Sequence, residues 1–421
     1  MIKKLAYLSI LASLIGANVI SIDFNVFQLS LFRMSILFIT VAIIIQKLFN
    51  GGRIKLIRNK KNKYSIRFML IWLFYSIITL CWVQNHGDWF RAVYFISIGV
   101  ICVIIYDKYF TSDEDILNAF RTMSVMSIMH NCFGWYEIIT GNYLFLSSDR
   151  IIKYTRYHYP VSMFNNTNNF ALFMLFSVFI SYVCMVNAKG KIMKFIYVIT
   201  IISSICLILS TNSRANLLGL IIGLIVFVSL SFTQRKWRYP MLILLSILFI
   251  VIILLPGVFD NILYMLNKYL TIELAADKGS DFVRLNLIKN GFIFLYRTCG
   301  FGTGAGNIEH WMSNYGVYYT SDILNMHNWW MEILVSFGVF IFALYLIFYI
   351  KLIIDMLHKY KINNNKMNKT LSISFISCMA AYIIGSISAS SNISAEWLWV
   401  FWAISIAYQG IDNGTVLQKT A

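Results

Sequence analysis

Three side chains stand where chemistry on an anionic ligand is conceivable: Arg214, Arg284 and His327. Thr211-Asn212-Ser213-Arg214-Ala215-Asn216 directly precedes a long apolar run. An arginine there is a fixed cation at a helix start, where free N–H groups and the helix dipole favour phosphate. The plainer alternative is an interfacial anchor whose guanidinium reaches up to the head groups. Asp281-Phe282-Val283-Arg284, followed by Lys289, opens a second basic segment. Arg284 is either another phosphate clamp or the solvated face of a helix. Met326-His327-Asn328-Trp329-Trp330 leads into a further apolar run, with Glu332 one turn on. A neutral imidazole is the commonest general base, and a satisfied interfacial histidine is the plainer reading.

Two more segments carry polar groups without an obvious catalytic pattern. Arg156-Tyr157-His158-Tyr159-Pro160, then Phe164-Asn165-Asn166-Thr167-Asn168-Asn169-Phe170, combines a cation, aromatic faces and carboxamides. Such groups suit carbohydrate, and they suit an aromatic belt with polar turns equally well. Gly300-Phe301-Gly302-Thr303-Gly304-Ala305-Gly306-Asn307 has dinucleotide-loop spacing but no strand–helix unit around it. It reads instead as a tight turn that brings backbone close to a ligand or a helix. The six histidines form no HExxH or carboxylate–histidine cluster, so the sequence predicts no metal site and no cofactor. The seven cysteines include no CxxC pair and read as small packing residues.

The elements that must hold these residues are apolar helices. Hydrophobic residues make up 59% of the 421 and charged residues 13%, with a mean hydropathy of +0.70. That balance excludes a soluble enzyme, a disordered chain and a secreted disulfide scaffold. A span needs roughly 20 apolar residues. Candidates fall near 5–22, 28–48, 66–84, 91–107, 116–139, 168–187, 192–210, 215–233, 239–256, 329–357, 370–389 and 395–411. The fold class is therefore an all-α polytopic membrane protein of about 12 transmembrane helices, with 1–421 as a single membrane domain. Most of the 35 Lys and Arg fall in one set of alternate loops, which puts both termini in the cytoplasm. The net charge of +17 then needs no nucleic-acid partner. Two outer segments exceed mere connectors: a loop at 141–167 and a large loop at 257–328. Within the latter, Phe282, Leu285, Ile288, Phe292 and Leu295 predict an amphipathic helix over 281–297, lying on or dipping into the outer bilayer face. Arg33, Arg121, His130 and Glu137 fall within or beside spans, apart from the outer clusters.

Together the outer segments resemble the O-antigen ligase and polymerase family of bacterial polysaccharide assembly. The resemblance rests on Glu137 with Thr140-Gly141, and on Phe164-Asn165-Asn166 with Thr167 where proline is usual. It also rests on Ser213-Arg214, and on the glycine-rich turn followed by His327-Asn328. It implies a glycosyltransferase of the outer leaflet of the bacterial cytoplasmic (inner) membrane. The donor would be an oligosaccharide on undecaprenyl pyrophosphate, in contact with membrane lipid, with a flippase and a chain-length regulator as partners. The family's functional arginines and histidine would fall on Arg214, Arg284 and His327 within the 257–328 loop and its neighbours. Arg156, Asn165, Asn169, Ser213 and Asn328 would line the substrate. Physics agrees with these parts. A pyrophosphate leaving group is stabilised by cations as the glycosidic bond breaks, and His327 could take the acceptor proton. Displacement without a covalent intermediate inverts the anomeric centre. The Glu137 to Gly141 segment resembles that of capsule or teichuronic-acid polymerases, which favours a polymerase. A ligase acting on lipid A-core is the alternative. A flippase or transporter of the same lipid is a further one, and it would need polar residues along a path through the bilayer.

In a background without the native cysteines, cysteines introduced at Lys60 and Ser313 should be labelled by impermeant maleimide from opposite sides of the membrane. Labelling from one side would separate Arg214 from His327 and end the shared-site reading.

Overall fold

The computed structural model describes residues 2–24, 27–49, 61–146, 158–164, 166–232, 239–243, 246–247, 250, 280–389 and 392–411. The helices, in chain order, are α1 (Ile2–Ile15), α2 (Leu31–Phe49), α3 (Lys63–Ile78), α4 (His86–Tyr109) and α5 (Asp113–Thr140). They continue as α6 (Thr167–Val186), α7 (Lys191–Ser210), α8 (Arg214–Ser231), α9 (Ser280–Arg297) and α10 (Ile308–Tyr315). Last come α11 (Trp329–Ile362), α12 (Lys366–Gly385) and α13 (Glu396–Gly410). Among the described residues, eight helices are long and apolar enough to cross a membrane: α2, α3 with its 3-10 extension to Cys81, α4, α6, α7, α8, α11 and α12. The protein is thus an all-α multi-pass membrane protein. The segment expected at 239–256 lies largely outside the described residues, as does 257–279 of the large loop.

The first expected span ends early. Instead of running on to Ile22, α1 stops at Ile15, because Gly16 turns left-handed at φ +75°. The chain then forms an antiparallel hairpin, β1 (Ser21–Asp23) against β2 (Gln28–Ser30), with Ile22 opposite Leu29. Lacking a Cβ, Gly16 adopts that conformation without strain.

The two most buried spans, α6 and α12, form the centre of the bundle. Small residues let α8 lie close against α12. A Cβ on Gly219 would come within 2.7 Å of the Ala381 carbonyl, and one on Gly223 within 3.0 Å of the Ala381 Cβ. Close backbone approach through small residues is the usual means of packing apolar helices in lipid. On the other side, α4 meets α13 where Gly99 faces the Trp399 ring.

α11 is broken at Gly338, which has φ +75° and ψ 179°. The glycine-rich turn fits into this break. Thr303 N–H donates to the Val335 carbonyl at 2.8 Å, Gly304 N–H to Ser336 at 2.9 Å, and Val339 N–H to Gly300 at 2.9 Å. Gly300, Gly302, Gly304 and Gly306 all have positive φ. The turn's other face is held by Asn307. Its Oδ1 accepts from Gln84 N–H at 3.1 Å and Asn85 N–H at 2.8 Å, and its Nδ2 donates to the Asn85 carbonyl. The turn therefore brings backbone close to helices, as a clasp between the start of α4 and the kink of α11.

The amphipathic stretch is helical, as expected, with Leu285 buried and Ile288 packed inward, but the covered face extends to residues outside the expected repeat. Val283, Leu287 and Phe294 pack with Ile308, Met312, Met326, Met331 and Val335. Asn286 and Asn290 are buried beside them, whereas Phe292 is 54% exposed. The physical reason lies in the neighbouring loop. Asn286 Nδ2 donates to the Tyr319 carbonyl at 2.7 Å, while Asn290 bonds the Tyr318 carbonyl and the Val317 and Tyr318 N–H groups. These extended residues need hydrogen-bond partners, and the two asparagines supply them. So α9 leans on α10 and the start of α11 with its Val283–Phe294 side.

The clasp has a measurable weight. In Gly302→Ala, the new Cβ would lie 2.6 Å from Gly338 N and 2.7 Å from the Ser336 carbonyl, at φ +85°. That substitution should cost about 2–4 kcal/mol and lower the melting temperature of purified protein. Gly190→Ala, with nothing within 4 Å, should leave it within a degree or two of wild type.

Candidate functional site

One end of the bundle gathers most of the residues singled out above. At the start of α6, Asn166 caps the helix, its Oδ1 accepting from Asn169 N–H at 2.8 Å. Asn168 ties this turn to α8. Its Oδ1 accepts from Ser213 Oγ at 2.7 Å, and its carbonyl from Asn216 Nδ2 at 3.1 Å. Asn216 Nδ2 also reaches Ser388 Oγ at 3.4 Å, just beyond α12. Two residues earlier, the Ser386 carbonyl accepts from Trp329 N–H, the first residue of α11, at 3.1 Å. The starts of α6, α8 and α11 and the end of α12 are thus linked by a continuous set of hydrogen bonds.

Arg214 is the first residue of α8 and is exposed. The Ser213 side chain makes no capping bond there, because its hydroxyl is committed to Asn168. The first-turn N–H groups therefore lack a side-chain cap, and together with the guanidinium they favour an anion. His327 is half-buried, with a left-handed backbone at φ 47°, and its N–H donates to Asn325 Oδ1 at 3.0 Å. Arg284, also half-buried, follows Val283, which packs with Met326 beside His327. Arg284 is thus next to a residue of the α9–α11 contact that includes Met326, and the 386–388 turn links the start of α8, which bears Arg214, to the start of α11.

The residues expected to line substrate fare differently. Ser213 is buried in the brace with Asn168 and Asn216. Asn328 is the N-cap of α11, its Oδ1 accepting from Trp330 N–H at 3.1 Å and Met331 N–H at 3.3 Å. Asn169 lines a different pocket, together with residues of α1 and α13. Arg156 and Asn165 lie outside the described residues. Among the described residues, no three His, Cys, Asp or Glu side chains converge as metal ligands.

Asn325 and Met326, just before His327 in the chain, line a cavity of about 250 Å³ that sequence reasoning did not assemble. Asp88 and Arg91 of α4, Glu309 of α10, Asn325, and Glu332 and Ser336 of α11 line it. Asn325 Nδ2 donates to Glu309 Oε1 at 3.3 Å. Glu332 Oε2 is enclosed and has no hydrogen-bond partner among the described residues. A buried oxygen without a partner is costly, and a ligand hydroxyl would satisfy it. The sequence signal was the presence of Glu332 in the first turn of a strongly apolar helix. Two of its neighbours in the cavity, Asp88 and Arg91, come from more than two hundred residues upstream, which spacing does not reveal.

The polar residues that a transport path would use are already committed. Glu137 Oε2 accepts from the Val161 and Ser162 N–H groups at 2.7 Å each. His130 bonds Ser162 Oγ and the Leu14 carbonyl, both at 2.9 Å. Arg121 pairs with Glu114, and Arg33 pairs with Glu396 at 2.8 Å. Glu137, His130 and Arg33 hold loops and helix ends in place, and Arg121 is paired within α5.

Comparison with known proteins fits this arrangement. Residues 198–346 match the family model described as O-antigen ligase. That stretch contains Ser213, Arg214, Arg284, His327 and Asn328. Over 403 residues the chain is 27% identical to the teichuronic acid biosynthesis protein TuaE of Bacillus subtilis (strain 168), covering 95% of this chain and 83% of that protein. The findings fit the O-antigen ligase and polymerase family that the motifs resemble. Both similarities support a membrane enzyme of polysaccharide biosynthesis.

Asn328 offers a direct check on cap against substrate contact. Asn328→Ala should lose about 1 kcal/mol of stability, the usual cost of removing an N-cap. Asn328→Ser, which can still cap, should keep both melting temperature and polymer yield near wild type. A stable but inactive Asn328→Ser would instead make the carboxamide a substrate ligand.

Proposed function

We propose that this protein polymerises lipid-linked oligosaccharide repeat units at the outer leaflet of the bacterial cytoplasmic membrane, with both termini in the cytoplasm. The observation that carries this reading is the convergence at one end of the bundle. An uncapped helix start bearing Arg214, the His327 turn and a cavity rich in carboxylates share that end, and α9 leans Arg284 toward them. Arg214 and Arg284 hold the diphosphate of an undecaprenyl-linked donor. As the bond from the anomeric carbon to the phosphate oxygen breaks, negative charge grows on the leaving diphosphate, and both guanidinium groups stabilise it. The acceptor hydroxyl attacks the same carbon from the opposite side while its proton passes to the His327 imidazole. The products are the lengthened chain on its lipid, with inverted linkage, and undecaprenyl pyrophosphate.

Charge also sorts the two substrates. Asp88 and Glu309 outnumber Arg91 as charges in the cavity next to the His327 turn, so it suits the acceptor sugar and leaves the diphosphate donor to Arg214 and Arg284. A ligase would share this chemistry and differ only in acceptor. The resemblance of the chain to a teichuronic acid biosynthesis protein supports the polymerase. A transporter lacks support in the committed roles of His130 and Glu137.

Purified variants separate the roles. Arg214→Ala and Arg284→Ala should abolish polymer and weaken retention of the lipid-linked donor. Arg214→Lys should rescue poorly, since a forked contact to phosphate is lost. His327→Ala should still bind donor and melt like wild type, while turnover falls by about 10²–10⁴-fold. A stable His327→Ala with near-normal turnover would remove the base from the mechanism.

A further inference from the structure

A second pocket adjoins the cavity beside His327, and both are lined by Phe95 and Ser394. It lies between the turn after α1, the start of α2, the start of α6 and the start of α13. Its volume is about 160 Å³, well below the roughly 300–1,000 Å³ of sites for drug-sized ligands. Its floor is an ion pair buried from water: Arg33 and Glu396 are 4% and 5% exposed, with Arg33 Nε donating to Glu396 Oε1 at 2.8 Å. Ser30 Oγ donates to the same oxygen, and the guanidinium also bonds the Gln28 carbonyl and lies 4.3 Å from the Phe95 ring centroid. The other carboxylate oxygen, Glu396 Oε2, is enclosed and has no hydrogen-bond partner among the described residues. A buried ion pair ordinarily needs every remaining lone pair satisfied to offset its desolvation. Here one is left open on a side chain that lines the pocket.

The rest of the lining says what would satisfy it. Asn18, Gln28, Asn169 and Asn392 contribute carboxamides, each able to donate and accept. Phe164 and Trp397 contribute apolar ring faces. The pocket's charges cancel, so an anion would meet Glu396 and a cation would meet Arg33. A neutral group that offers hydroxyl donors and acceptors around an apolar ring face meets neither penalty.

We infer that this pocket is a subsite for one uncharged saccharide unit of the acceptor, whose hydroxyl donates to Glu396 Oε2. The inference rests on the polymerase reading and deepens it. Because the pocket meets the His327 cavity at Phe95 and Ser394, the unit it holds neighbours the reacting one. The subsite therefore reads the sugar next to the attacking hydroxyl and rejects a charged residue at that place. No bond is made or broken here, so Glu396 and Arg33 are specificity residues and not catalytic ones.

The test uses full-length protein in lipid nanodiscs, titrated with methyl glucoside and methyl glucuronide, with Trp fluorescence as readout. These probes share a ring and differ in charge. Wild type should bind the glucoside saturably and the glucuronide at least tenfold more weakly. Ala17→Trp, which fills the pocket from an exposed turn, should weaken glucoside binding at least tenfold and lower polymer yield, with an unchanged melting temperature. Should Ala17→Trp fold poorly, Gln28→Ala at the rim should weaken glucoside binding several-fold. Arg214→Ala should bind the glucoside like wild type. Preference for the glucuronide, absence of glucoside binding, or Ala17→Trp that binds and polymerises like wild type would each overturn the subsite. A protein that binds the glucoside as expected yet never forms polymer would sink the polymerase reading and leave the subsite standing.

Discussion

Breaking α11 at Gly338 frees carbonyl groups that no lipid could satisfy, and the glycine-rich turn supplies the missing donors from Thr303 and Gly304. Irregular backbone at membrane depth survives only where protein surrounds it. This exchange fixes everything on either side of it. Upstream, Asn307 carries the turn to the start of α4, so Asp88 and Arg91 face Glu309. Downstream, the short half of α11 keeps a fixed direction, so Glu332 and Ser336 line the cavity together with Asn325 and Met326 of the segment before α11. Without the clasp, the residues between Arg297 and Trp329 would have no common frame.

The polar end of the bundle separates charge by element. Cations stand at the first turn of α8 and on α9, where a helix start or an open face can hold an anion. Three carboxylates, with Arg91 among them, line the space between α4, α10 and α11. Between these extremes lies the neutral pair of Arg33 and Glu396. Three electrostatic environments share one face of the protein, each built by different helices. That arrangement suits a reaction whose two substrates carry different charge, and it requires no large rearrangement to keep them apart.

Much of this was legible in the sequence. Hydropathy placed the apolar helices, and Ser213-Arg214 and His327-Asn328 stood at helix starts as expected. Periodicity failed where a polar side chain had a structural task. The covered face of α9 includes Asn286 and Asn290, because the 317–319 backbone needs partners, and an apolar repeat cannot register that. The first span ran on past its true end because Ile20 and Ile22 look like helix while Gly16 turns the chain into a hairpin. Asn328 and Ser213 read as ligand residues, and the sequence did not show that their side chains also brace helix starts. The cavity beside His327 was invisible for a different reason. Its walls come from segments far apart in the chain, and only packing brings them together.

The pair between Arg33 and Glu396 joins the second helix to the last one, and Ser30 stands 366 residues before Glu396 in the chain. A nascent chain is made from the N-terminus, so Arg33 reaches the bilayer long before its partner exists. Arg33 is the third residue of α2, where an unpaired guanidinium can still turn toward water. Until α13 is made, that outward orientation is the one that avoids burying a lone charge. The inward pairing with Glu396 therefore belongs to the finished bundle, and the hairpin that presents Ser30 and Gln28 to the same pair takes its final form only when the last helix is in place.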